Sequence, residues 1–190
     1  MWDSDWSSRA RGAIAALVVT LGLGLPAAEA EAKVFFGRRE ALQLAFPEAD
    51  RIEDEAVLLG EEQATRIESL SRGTLESRLV RIYRGYRGDE LLGYAFIDIH
   101  NVRTHPEAFM VVISPEGKVE LLRVLAFHEP LEYMPTQRWY EQFSDLDLGA
   151  PMRVGGDIHG IVGATLSARA TTRGVRRALA LYEVVVKGTE

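Results

Sequence analysis

Four sets of residues in this chain have side chains suited to chemistry, and one of them also has a spacing that chemistry would need. It is the stretch HGIVGATLSARA, His159 to Ala170. A glycine-punctuated loop there feeds a helix start, where the first N–H groups lack internal acceptors and the helix dipole places partial positive charge. Such an end accepts phosphate. Gly160 and Gly163 permit backbone turns that a side chain would obstruct, and Ala164 keeps the approach open. Thr165 offers a hydroxyl at that spot, and Ser167 follows two residues on. The same spacing also occurs where the threonine is only a helix cap.

The other three sets point to chemistry less directly. His100, His105, His128 and His159 include no pair one helical turn apart, and no cysteine supports them. A metal site is therefore not expected. His105, beside Pro106, is expected in a loop. Tyr133, Trp139, Tyr140 and Phe143 could stack on a planar ring, but aromatics at helical spacing more often pack in a core. Arg169, Arg173 and Arg177 fall on one side of the last predicted helix. They could dock an acidic partner or lipid phosphate, or form a solvated face. Glu61, Glu62 and Glu68 fit a helix surface. No Ser–His–Asp arrangement, Walker-type loop or nucleotide-binding glycine fingerprint is evident.

These groups need a scaffold, and the composition supplies one. The 190 residues are 47% hydrophobic and 26% charged, enough for one globular domain with a real core. A net charge of -6 argues against nucleic acid as a partner. The absence of cysteine excludes disulfides, iron–sulfur clusters and thiol catalysis. At the N-terminus, Arg9 and Arg11 precede an apolar run from Gly12 to Leu25, then Pro26 and the small residues Ala28, Ala30 and Ala32. This order is that of a secretory signal peptide over 1–32, cleaved after Ala30 or Ala32 or retained as an anchor. The expected location is periplasmic, or on the outer face of the cytoplasmic membrane. No twin-arginine pair is present, so export is expected unfolded, with any cofactor added afterwards.

Residues 33–190 read as one domain. Helices are expected at Arg38–Ala45, Glu61–Leu70, Thr136–Phe143 and from Leu166 to about Val186, where Val184–Val186 could leave as a strand. Strands are expected at Arg51–Leu59, Leu75–Tyr83, Leu91–Ile99, Ala108–Ile113 and Val119–Phe127, with turns at Gly85–Asp89 and in SPEGK. Short turns between consecutive strands make them antiparallel. The fold class is α+β: an antiparallel sheet with packed helices.

GATLSARA, followed by an Arg- and Ala-rich helix, resembles the flavin-attachment motif of the FMN-binding domain family. That family includes flavoprotein subunits of the sodium-pumping quinone reductase and of Rnf-type complexes, and stand-alone exported carriers. The similarity extends through LLGYAFIDIH, SPEGKVELLRVLAFHE and QRWYEQF, covering roughly 88–182. It implies FMN held by a phosphoester to Thr165, with Gly163 and Ala164 completing the motif and a separate flavin transferase making the bond from FAD. The family's acidic-Thr/Ser-Pro element has its counterpart in His128-Glu129-Pro130, which makes Glu129 and Pro130 candidates for the flavin rim. The family pattern places aspartate six residues before the acceptor and Ser or Thr three before; here His159 and Val162 stand there, with Asp157 offset by two. His159 is thereby a cofactor-site candidate.

The function implied is an exported electron carrier more than a stand-alone enzyme, working with membrane quinone- or cytochrome-linked redox partners. An interaction or sensing module that has lost its flavin, or a flavin reductase, are the alternatives.

Overall fold

Period-two alternation builds the centre of the molecule. In a computed structural model that describes residues 33–102, 105–128 and 130–189, six strands form one antiparallel sheet. They are β1 (Lys33–Val34), β2 (Arg51–Leu58), β3 (Leu79–Arg87), β4 (Glu90–Val102), β5 (His105–Ile113) and β6 (Val119–Phe127). The order across the sheet is β1-β6-β5-β4-β3-β2. Strands β3 to β6 thus run as a meander of tight hairpins. Edge strand β1 pairs Lys33 with Phe127 and Val34 with Ala126, and the Phe35 and Phe36 N–H groups both donate to the Leu125 carbonyl.

Helices cover both faces. The inward residues of one face, among them Ile82, Tyr94, Phe96, Phe109, Val111 and Ile113, pack with α4 (Thr165–Leu181) through Val175, Ala178 and Leu179. Helix α2 (Glu61–Ser71) joins that layer through Ile67. On the opposite face, Tyr83, Ala95, Met110, Val112 and Leu125 meet Ala41 and Phe46 at α1 (Arg38–Ala45). Gly37 and Gly60 cap α1 and α2 with backbone N–H groups that donate to Glu40 and Gln63 side chains three residues on. The chain is a single α+β domain, as its pattern of elements implies. Among the described residues no helix is long and apolar enough to cross a membrane. The signal segment expected over 1–32 lies outside the described residues.

Three local expectations are corrected. Gly85 does not turn the chain: β3 runs on to Arg87 with an irregularity at Gly85/Tyr86, and Gly85 lies bare under the Phe46 ring. His105 begins β5 instead of occupying a loop, with Pro106 second in the strand. A proline fits there because pairing to β6 starts only at Glu107, so no ladder bond is missed. Val184–Val186 does not become a strand; α4 runs into a π-helical turn, Tyr182–Val186, whose valines are all buried in the core.

Candidate functional site

The loop entering α4 is built by its backbone. Asp157 Oδ2 accepts from both the Arg153 N–H and the Arg153 Nε, at 3.1 and 3.0 Å, and closes a turn from Arg153 to Ile158. The hydrogen bond from the Arg153 guanidinium first, and that from the Arg153 backbone N–H second, hold the Asp157 carboxyl below the usual range. Asp157 is therefore occupied within its own turn. Ile158 is buried and anchors the loop.

At His159 the main chain is clamped from both sides. Trp139 Nε1 donates to the His159 carbonyl at 2.7 Å, and the His159 N–H donates to Gln142 Oε1 at 2.7 Å. Trp139 lies in α3 (Gln137–Tyr140), and Gln142 in the 3₁₀ turn that follows, Glu141–Phe143. The His159 side chain is left on the exposed surface. Trp139, Tyr140 and Phe143 are all buried in the core, which fits the packing expectation.

The loop then crosses Gly160 to Gly163. Gly163 has φ +82°, a left-handed conformation that L side chains rarely take, and open space surrounds both glycines. Val162 projects fully into solvent. Ala164 is buried and provides no side-chain cap for α4, so the first helical bond is Ala168 N–H to the Ala164 carbonyl. The backbone N–H groups of the first turn point out without an internal acceptor. Thr165 is exposed among them.

The candidate residues are thus partly assembled. Gly163, Ala164 and Thr165 come together, with the His159 backbone fixed beside them. Ser167 does not join them: it is buried, facing into the molecule, as a residue two positions along a helix must be. Pro130 is exposed and opens a 3₁₀ turn, Leu131–Tyr133. Glu129 lies outside the described residues.

A second polar cluster lies further along α4 on the sheet. Asp98 and His100 of β4 project inward in the same row as Tyr94 and Phe96, and Glu107 of β5 stands opposite His100 in register. Arg177 descends from α4, its Nε donating to Asp98 Oδ1 at 2.8 Å and its Nη1 to the Thr74 carbonyl at 3.0 Å. The solvated arginine face is corrected to this extent, because Arg177 is a half-buried ion-pair partner of Asp98. His100 Nδ1 is 2.7 Å from Asp98 Oδ2, and its Nε2 is 3.5 Å from Glu107 Oε2.

Burial alone would lower the His100 pKa. The hydrogen bond to Asp98, the close approach of Glu107 and the charges of both outweigh it and raise the value to about 9. Burial likewise opposes ionisation of Asp98, but His100 and Arg177 together hold its carboxyl below the usual range. These charges have a signal in the sequence. In LLGYAFIDIH, Asp98 and His100 share the period-two row of the apolar residues Tyr94 and Phe96, so they must be buried together and need partners.

This pair predicts a pH dependence. A histidine whose pKa is higher folded than unfolded contributes its stabilisation fully below its ordinary value of 6.5. That contribution disappears as pH rises through 9. Urea midpoints should fall from pH 6.5 to 9, and His100→Gln should flatten that slope. A wild-type profile as flat as the variant's would refute it.

Among the described residues no three His, Asp or Glu side chains are arranged to hold a metal ion. In comparison with known proteins, no family model and no curated protein matches this chain.

Proposed function

We propose that this chain is an exported electron carrier with FMN joined to Thr165 by a phosphoester. The observation that carries the reading is the exposed Thr165 at the uncapped first turn of α4, set behind a loop with a clamped backbone. The bare N–H groups of that turn suit a phosphate, and the open space at Gly160 and Gly163 leaves room for a bulky group beside it. When bound, FMN supplies one- or two-electron chemistry. Attachment needs no general base within the chain, since a flavin transferase performs it. The Thr165 oxygen replaces AMP on the flavin phosphorus of FAD, and the hydroxyl proton leaves with AMP. Trp139 and Gln142 keep the acceptor loop in place through the His159 backbone. Partner proteins in the membrane, quinone- or cytochrome-linked, would donate and accept the electrons.

A second reading, a flavin-free interaction module, rests on Val162, where the family pattern has a hydroxyl residue and this chain places a fully exposed apolar side chain. Intact mass decides between them. Expressed with a flavin transferase and an export route, the wild type should gain one FMN minus water, and Thr165→Ala should gain nothing. An unmodified, colourless wild type beside a flavinylated control protein would favour the interaction module.

A further inference from the structure

Strands β3 and β4 are paired from Arg87 and Glu90 only as far as Tyr83 and Ala95. Beyond that point they part: residues 79–82 stay with β2, and residues 96–102 stay with β5. The wedge between them is a groove of about 450 Å³, walled by Leu75, Leu79, Val80, Phe96, Ile99 and Leu181. Leu79 and Ile99 are more than half exposed there, although they are large and apolar.

At its α4 end the groove adjoins a polar cavity of about 140 Å³, and Glu76 and Arg177 line both. His100, Thr74 and Arg173 line the cavity as well. His100 is buried, and its Nε2 has no hydrogen-bond partner, being only within 3.5 Å of Glu107 Oε2. Arg177 is already neutralised by Asp98. Arg173 is exposed, with no ion-pair or hydrogen-bond partner among the described residues. The cavity therefore presents an exposed guanidinium without an ion-pair partner among the described residues, beside a buried ring nitrogen whose near acceptor, Glu107 Oε2, stands 3.5 Å away, next to an apolar trough.

We propose that this continuous site binds an amphiphilic monocarboxylate, its head against Arg173 and His100 and its apolar body in the groove between β3 and β4. A carboxylate matches the planar fork of an arginine. A single charge fits better than two, because Glu76 stands at the junction and repels a dianion. The apolar body gains from each methylene removed from water. The site is separate from Thr165 and does not depend on the flavin reading.

The test is calorimetric titration of the full chain with octanoate, acetate and 1-octanol. Octanoate should bind at least about tenfold more tightly than either of the others, since only it satisfies both halves of the site. Arg173→Gln should weaken octanoate about tenfold, whereas Arg169→Gln, one turn away and outside the cavity, should leave it unchanged. Octanol binding as tightly as octanoate, or Arg173→Gln binding octanoate like the wild type, would overturn the proposal. Equal losses in both arginine variants would overturn it too, by reducing the effect to general surface charge.

Discussion

Asp98→Ala is expected to lower folding stability by about 3–5 kcal/mol, the usual cost of removing one partner from a buried ionic group. Asp98 accepts from Arg177 and faces His100 at once, and all three side chains are largely shielded from water. Without it, a guanidinium and an imidazolium confront each other beneath α4, with Glu107 near His100 and Glu76 at the cavity they line. The loss comes from the stranded cations more than from the attraction removed. The double variant Asp98→Ala/Arg177→Met should therefore be more stable than the sum of the single losses allows. Urea unfolding at pH 7 measures both. A single-variant loss below about 1 kcal/mol would mean that water reaches this cluster freely.

Gly174→Val should be nearly as damaging, at about 3 kcal/mol, the upper part of the range for overpacking. Helix propensity argues the other way, because glycine inside a helix is disfavoured by about 1 kcal/mol relative to alanine. Contact geometry decides the sign. A Cβ at Gly174 would lie 2.2 Å from Phe109 Cζ and 2.8 Å from Asp98 Oδ2. Phe109 is buried and cannot swing aside, so α4 would have to lift from β4 and β5. That lift would also draw Arg177 from Asp98. Thermal melting of Gly174→Ala and Gly174→Val reads the effect; a rise in Tm for the alanine variant would show that propensity outweighs packing.

The meander is legible in the sequence because its turns carry their own chemistry: SPEGK between β5 and β6 leaves little choice of partner. The end of β3 is not. Gly85 reads as a turn residue, and only the three-dimensional position of Phe46 explains a glycine within a strand. His105 misleads for a related reason, since Pro106 marks a loop unless the start of the neighbouring ladder is known. At the loop that enters α4, the Gly-Ala-Thr spacing is plain in the chain, but the clamp on His159 joins positions 17 and 20 residues apart and has no sequence pattern. Ser167 shows the limit of reading by proximity, because two residues along a helix reverse the direction of a side chain. The arginine stripe likewise looks uniform until Asp98 separates Arg177 from its neighbours.

The short β1 strand has a mechanical meaning. Tension applied to the chain ahead of Lys33 enters the fold through two residue pairs with β6 and the bonds from Phe35 and Phe36 to Leu125. Those few contacts lie at the sheet margin, outside the meander that supports α4. Under load they would give way first, freeing several residues of chain while the Thr165 loop keeps its shape. A domain pulled from that end would therefore gain reach before it lost structure.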